Sequence, residues 1–171
     1  RMPPGDPLDP ATRLGAIVDD VQLRTVLGYI DVGRSEGAQL VAGGRQVRQE
    51  TGGCYVEATV FDGVRPEMTI AREEIFGPVL AAITVRDAEE AVRVGNSVIY
   101  GLAAAVWTRD VTRAHRIARA LRAGVVYVNC YDADDITVPF GGFKQSGTGR
   151  DKSLHAFDKY TELKTTWIDL S

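Results

Sequence analysis

Cysteine is scarce in this sequence, with two among 171 residues, Cys54 and Cys130. Neither belongs to a Cys-x-x-Cys spacing or lies near a histidine cluster, so we predict no metal site. The carboxylates of Asp132, Asp134 and Asp135 follow Cys130 and would raise the pKa of a thiol, whereas a nucleophilic cysteine needs a base or an electropositive niche. We therefore assign neither cysteine as a nucleophile and predict that each packs as a small buried hydrophobe.

Long apolar runs and an excess of positive charge are also absent. No run approaches the ~20 apolar residues that cross a bilayer, and residues 1–10 are polar and proline-rich, unlike a signal peptide. The formal net charge is −3, whereas nucleic-acid binding favours a basic surface. We predict no membrane partner, no nucleic-acid partner and a cytoplasmic location.

The order of predicted elements indicates an α/β protein. Helices are predicted over residues 17–36, 87–96 and 110–122, with Asp87 and Asp110 as N-caps and Gly37 after the first helix, and a short helix over 155–162. Strands are predicted over residues 39–42, 55–61, 79–85, 103–108, 125–129 and, with looser alternation, 163–170. Because strand and helix alternate in the second half, we expect a parallel sheet with covering helices.

The segment Glu73-Glu74-Ile75-Phe76-Gly77-Pro78 is the most informative part of the chain. Gly-Pro punctuates the backbone, and the apolar run that follows has the length of a buried strand. Glu74 and Phe76 are therefore predicted to lie on a stiff turn, where a carboxylate could accept hydrogen bonds from two sugar hydroxyls. The alternative interpretation is an exposed pair of glutamates beside a core phenylalanine.

Two further positions follow the strand predicted over 125–129. Asn129 ends that strand, and its amide could fix either a substrate or the backbone of a loop. Phe140 lies between Pro139 and Gly141-Gly142, so its ring is held while the neighbouring backbone can approach another group closely. The alternative for Phe140 is a core aromatic.

Four motifs in the same order resemble the NAD(P)-dependent aldehyde dehydrogenase superfamily. The first is Glu-Glu-Ile-Phe-Gly-Pro. The others are residues 96–106, similar to Asn-x-x-x-Tyr-Gly-Leu; residues 124–129, similar to Gly-x-Val-x-Val-Asn; and residues 139–150, similar to a loop near the substrate channel. The resemblance runs in register from about Leu8 to Leu170.

This resemblance implies roles for individual residues. Glu74 would bind the ribose next to the nicotinamide of NAD or NADP, Phe76 would pack beside the nicotinamide ring, and Gln22 would lie near the coenzyme on the first helix. An exposed helical glutamine is the alternative for Gln22. Phe140 would line the aldehyde channel, and Asn129 would lie beside it.

Two interpretations are open for the acids Asp132, Asp134 and Asp135. They either belong to a solvated loop or lie at the entrance of the aldehyde channel. Carboxylates at the entrance would favour an aldehyde that bears an ammonium group over an apolar aldehyde. The surrounding residues look most like the branch of the family that oxidises γ-glutamyl-γ-aminobutyraldehyde, with broader amino-aldehyde dehydrogenases close behind.

The family's nucleophile, a Cys in a Gly-Gln-x-Cys context, and its general base, a Glu in a Glu-Leu-Gly-Gly context, are not found in this sequence. We therefore assign no catalytic residue here and expect the C-terminal portion of a subunit. Residues 1–160 would be a partial catalytic domain, and residues 161–171 a strand that joins a partner subunit of a homo-oligomer. A stand-alone, non-catalytic binding or oligomerisation module is the alternative.

We predict that the purified 171-residue chain oxidises no aldehyde. In the family a thiolate attacks the aldehyde and a glutamate activates water against the resulting thioester, and losing such groups costs several orders of magnitude in rate. Coenzyme-dependent turnover should be measured with and without Cys130→Ala. Turnover that this substitution abolishes would contradict the prediction.

Overall fold

The computed structural model describes residues 2–171 in two compact units, one ending at Arg86 and the other spanning Asp87–Ser171. The first unit contains helices α1 (Asp20–Ser35) and α2 (Thr69–Arg72) and strands β1 (Gln39–Ala42), β2 (Gln46–Val47), β3 (Tyr55–Val56), β4 (Thr59–Asp62) and β5 (Val79–Ala81). The second contains α3 (Ala88–Asn96), β6 (Ala103–Val106), α4 (Val111–Ala120) and β7 (Val125–Val128). Short 3-10 helices cover Gln49–Thr51, Lys144–Ser146 and Leu154–Tyr160.

Helix α1 is closed at both ends by its own sequence. The Asp19 side chain accepts a hydrogen bond from the Gln22 backbone N–H at 2.8 Å, so the helix begins at Asp20 rather than at the predicted Ile17. Gly37, at a φ of 91°, and the bond from Ala38 N–H to Gly33 O at 3.0 Å form a Schellman end, as predicted. Both ends are therefore specified locally.

The core of the first unit lies between α1 and the sheet β1-β4-β5. Strand β4 is central, antiparallel to β1 and parallel to β5. Val26 and Ile30 of α1 and Phe61 of β4 are buried in one cluster, which Met68 and Ile75 join. Helix α1 and the turn before β5 therefore both contribute side chains to this core.

The strand predicted over residues 55–61 is two strands. Its first part, β3, pairs with β2, and the Glu57 N–H continues that pairing to Arg45 O at 3.0 Å. Two residues later the Thr59 N–H donates to Pro78 O at 2.8 Å and begins the pairing with β5. The chain changes sheets between these bonds, which residue alternation does not reveal.

The second unit contains a parallel strand pair with a helix in the connection. Strands β6 and β7 pair in register from Ala103↔Val125 to Val106↔Val128, and α4 lies between them in the chain. The predicted N-caps are confirmed, because Asp87 Oδ1 accepts from Glu90 N–H at 2.7 Å and Asp110 Oδ1 accepts from Arg113 N–H at 3.0 Å. The α/β class is confirmed, and the parallel pairing that we expected occurs in small sheets, between β4 and β5 of a mixed sheet and between β6 and β7.

Glycines of three predicted motifs meet in the second unit. The carbonyl of Gly101 accepts from the N–H groups of Gly124, at 3.0 Å, and Phe143, at 2.9 Å. A Cβ on Gly124 would overlap the carbonyl oxygen of Gly141, and one on Gly141 would overlap the carbonyl oxygen of Gly149. The absence of side chains is what permits this backbone packing, which we call the glycine contact.

The strand predicted over residues 163–170 is not formed. No residue from Thr161 to Ser171 has regular secondary structure or pairs with another strand of the described chain, and Trp167 is 94% exposed. A strand needs a hydrogen-bonding neighbour, and residues 2–171 provide none to this segment. The short helix predicted just before it is the 3-10 helix Leu154–Tyr160. The proposed boundary at residues 160 and 161 stays a prediction.

Within residues 2–171, no helix combines the length and apolar character that a membrane span requires.

We predict that Gly124→Ala destabilises the protein by at least ~1–3 kcal/mol, since the new methyl group must displace the Gly141 backbone rather than a flexible side chain. Gly149→Ala is the matched control, because no atom lies within 4 Å of a Cβ there and it should change stability by less than about 0.5 kcal/mol. Urea denaturation followed by circular dichroism measures both. Equal midpoints for the two variants would contradict the glycine contact.

Candidate functional site

The turn between α2 and β5, residues 73–78, presents one face to the core and one to solvent. Ile75 is buried, whereas Phe76 is 77% exposed. Phe76 has a φ of 52°, in the left-handed region that costs a non-glycine residue roughly 1–2 kcal/mol. Something must hold this conformation, because the residue type does not favour it.

Gln22 of α1 holds the backbone of this turn directly. Its Nε2 donates to the carbonyl oxygens of Ile75 and Phe76, both at 3.0 Å. One amide group thereby bridges the two peptide groups that flank the left-handed residue.

Two other residues of α1 contact the same turn. The Tyr29 hydroxyl donates to Glu73 Oε2 at 2.8 Å. A Cβ on Gly77 would lie 2.5 Å from Val26 Cγ2, so the glycine allows the backbone to pack against the helix. Gln22, Val26 and Tyr29 are spaced four and three residues apart, which places them on one face of the helix. The turn is thus docked along that face.

Glu74 differs from its neighbour Glu73. Its side chain is exposed, and the carboxylate has no hydrogen-bond or ion-pair partner among the residues that the structure describes. The alternative of a core phenylalanine is wrong, because the Phe76 ring is exposed. A free carboxylate and an exposed ring on one held turn fit a sugar with two adjacent hydroxyls and the flat ring attached to it.

Asn129 uses its amide on the protein itself. Its Oδ1 accepts from the Thr108 backbone N–H at 2.8 Å, and its Nδ2 donates to Thr108 O at 2.9 Å. Asn129 has a φ of 55°, which asparagine tolerates better than most residues. The sequence left two uses open for this amide, and in the structure it fixes a loop backbone. The position of Asn129 beside a substrate channel stays a prediction.

The three acids after β7 are not equivalent. Asp134 forms an ion pair with Lys152. Asp135 Oδ1 accepts from Thr137 N–H at 2.8 Å and Thr137 Oγ1 at 2.7 Å, and these bonds lower the pKa of Asp135. Asp132 has no partner among the described residues. Only Asp134 is therefore neutralised by an ion pair, and Asp132 is the one acid of the three without a partner among residues 2–171.

Phe140 is held from both sides. Its backbone pairs with Asp151 in an isolated antiparallel bridge, through bonds of 2.8 and 2.7 Å. Its half-buried ring lies 5.3 Å from Lys152 Nζ, a cation–π contact. Lys152, which the sequence analysis did not single out, therefore links Phe140 to Asp134.

The prediction that each cysteine packs as a small buried hydrophobe is wrong for Cys130, whereas Cys54 is partly buried and packs against the core of the first unit. Cys54 is half-buried, and Cys130, two residues after the end of β7, is exposed. The Cys54 thiol donates to Asp20 Oδ1 at 3.3 Å, and this hydrogen bond raises the pKa of the thiol. A raised pKa opposes the formation of a nucleophilic thiolate at Cys54.

Sequence reasoning missed Tyr29 and Glu73 as parts of the site. The available signal was spacing, since Tyr29 lies seven residues after Gln22 and therefore on the same helical face. That face could not be connected to residue 73 without the fold.

The model of the aldehyde dehydrogenase family matches residues 1–166 of the sequence. The chain belongs to the aldehyde dehydrogenase family. The resemblance read from the four motifs is confirmed.

Three similar members of the family illustrate the match. The NADP/NAD-dependent aldehyde dehydrogenase PuuC of Escherichia coli K12 is 51% identical over 167 residues, which cover 98% of this chain and 33% of that protein. An indole-3-acetaldehyde dehydrogenase of P. syringae, solved with NAD+ and IAA, has a TM-score of 0.95 at 66% identity, covering 99% of this chain and 34% of that one. The gamma-glutamyl-gamma-aminobutyraldehyde dehydrogenase of Burkholderia cenocepacia J2315 has a TM-score of 0.93 at 61% identity, covering 96% and 33%.

The chain spans about a third of the length of the curated aldehyde dehydrogenases that it matches.

Proposed function

We propose that this chain is the part of an NAD(P)-dependent aldehyde dehydrogenase that contacts the nicotinamide half of the coenzyme and forms one wall of the aldehyde channel. The observation that carries the proposal is the turn fixed by Gln22, which presents the exposed side chains of Glu74 and Phe76. The enzyme would oxidise an aldehyde to a carboxylic acid.

The coenzyme, when bound, supplies the acceptor for the hydride that leaves the aldehyde. Glu74 would accept hydrogen bonds from the ribose hydroxyls, and the ring of Phe76 would pack beside the nicotinamide. Both act by positioning, because a reacting ring that is misplaced by 1 Å can cost about 10²-fold in rate. The similar enzyme of P. syringae was solved with NAD+, and PuuC is named for both NADP and NAD, which supports an NAD(P) site.

We assign no nucleophile or general base within residues 1–171. The Asp20 carboxylate keeps the pKa of the Cys54 thiol raised, and neither cysteine has a Gly-Gln-x-Cys context. The chain's part in the reaction is to bind and orient the coenzyme and to form one wall of the aldehyde channel.

For the substrate, we propose an amino-aldehyde, and the uncompensated charge of Asp132 supports this choice. The names of the similar enzyme from B. cenocepacia and of an aminoacetaldehyde dehydrogenase that is 48% identical to this chain point the same way. A neutral aromatic aldehyde is the second candidate, because the P. syringae relative is an indole-3-acetaldehyde dehydrogenase.

We predict that Glu74→Gln, in an enzyme that contains this chain, slows hydride transfer about tenfold or more while changing coenzyme affinity less, since Glu74 positions the ribose. Glu73→Gln is the control, because a glutamine there can still accept the bond from Tyr29. Single-turnover kinetics and coenzyme titration measure the two effects. An unchanged single-turnover rate in Glu74→Gln would show that Glu74 is a surface acid only.

We predict that Asp132→Asn lowers the ratio of kcat/KM for an amino-aldehyde to that for a neutral aldehyde of similar length by about 1.4- to fivefold, because an exposed charge interaction contributes roughly 0.2–1 kcal/mol. Asp169→Asn makes the same change of charge in the C-terminal segment and should leave the ratio unchanged. A wild-type preference for the neutral aromatic aldehyde would support the second candidate instead.

We also propose that the protein forms a homo-oligomer through residues 161–171, and that it is cytoplasmic. Four large apolar side chains of this segment are exposed, at Leu163, Trp167, Ile168 and Leu170. An extended segment that pairs with nothing in its own chain can pair with a strand of another copy.

We predict that the chain sediments as a dimer or larger species at micromolar concentration and that deleting residues 163–171 reduces its mass to that of a monomer. Ser171→Ala is a control that leaves the apolar residues in place. A monodisperse monomer for the undeleted chain would refute this interface.

A further inference from the structure

We propose that Gln22 is a positioning residue for the coenzyme site and acts through the backbone of Phe76 rather than by touching the substrate. Its amide selects the left-handed conformation of Phe76 and so sets where the ring is presented. This inference rests on the proposed coenzyme site, and it deepens that proposal by naming what keeps the site preorganised.

The hydrogen-bonding capacity of the Gln22 amide supports this role. A glutamine NH₂ group has two donors, and Nε2 contacts two carbonyl oxygens, those of Ile75 and Phe76, at 3.0 Å each. Both donors are therefore engaged by the turn. In an extended chain, successive residues face opposite sides, so one nitrogen that bridges two successive carbonyls disfavours an extended Phe76.

The other contacts of α1 with the turn do not reach these carbonyls. Tyr29 bonds the side chain of Glu73, and Val26 packs against Gly77. Loss of the Gln22 amide should therefore leave the turn docked against the helix while releasing the conformation of Phe76. A left-handed non-glycine residue without such support is unfavourable, so its backbone would relax.

The position of Gln22 on the helix is itself fixed. Its backbone N–H is bonded by Asp19 at 2.8 Å in the N-cap, and Leu23 and Val26 beside it are buried in the core. The half-buried side chain is thus presented from the capped N-terminal turn of α1, whose neighbouring residues are anchored in the core.

The test compares Gln22→Ala and Gln22→Glu with Thr25→Ala. Glutamate keeps the length but has no donor when ionised, and the Thr25 hydroxyl donates to the Val21 carbonyl of its own helix, away from the turn. Backbone NMR shifts of Phe76 and Gly77 report the conformation in the full chain. Coenzyme dissociation constants and single-turnover rates report positioning in an enzyme that contains this chain. We expect both Gln22 variants to move the Phe76 shifts and to weaken coenzyme binding about tenfold, with the KM for aldehyde unchanged.

A second starting protein tests whether Gln22 acts by selecting the left-handed conformation of Phe76 or only by tethering the turn to α1. Asparagine adopts the left-handed region more readily than phenylalanine. With Phe76→Asn as the starting protein, Gln22→Ala should therefore weaken coenzyme binding by less than about threefold.

Two results would overturn the proposal. One is a set of Phe76 shifts that move no more in Gln22→Ala than in Thr25→Ala. The other is a loss of coenzyme affinity on Gln22→Ala that is equal with and without the Phe76→Asn change. Failure of the proposed function has a different signature. In that case the wild type binds no coenzyme, while the NMR comparison still decides whether Gln22 holds Phe76.

Discussion

The bridge from the Gln22 amide to two successive carbonyls is the interaction on which the candidate site depends. It holds Phe76 at a φ of 52°, and it comes from a helix that is capped at both ends and anchored by Val26 in the core. The exposed turn is therefore bonded to a helix that is itself anchored in the core. That arrangement lets a ring and a carboxylate be presented to a ligand without the mobility usual for loops.

The second unit achieves order by a different means. Close backbone packing of glycines, with Gly101 accepting two hydrogen bonds, joins the ends of β6 and β7 to the loop that carries Phe140. Side-chain bonds add to this order, since Asn129 joins the segment after β7 to the Thr108 backbone and Lys152 pairs with Asp134. Several residues that chemistry alone would suggest for substrate binding are thus engaged in holding the protein together.

Local signals in the sequence were reliable where one short-range interaction decides the structure. The caps at Asp87 and Asp110 are examples, because each carboxylate bonds a backbone N–H three residues away. Prediction failed where a distant partner decides. Residues 163–170 alternate loosely like a strand but have no neighbour to pair with in the described chain.

The sequence by itself determined the α/β class, the family and the segment that carries the site, since helix periodicity, caps and the order of the motifs are written in consecutive residues. Only the tertiary structure decided which atoms are free for a ligand. Among residues 2–171, Glu74 has no partner while Glu73 is bonded by Tyr29, and Asp132 has no partner while Asp134 pairs with Lys152. Identical side chains in neighbouring positions differ in this way because the partner of each comes from a distant part of the chain.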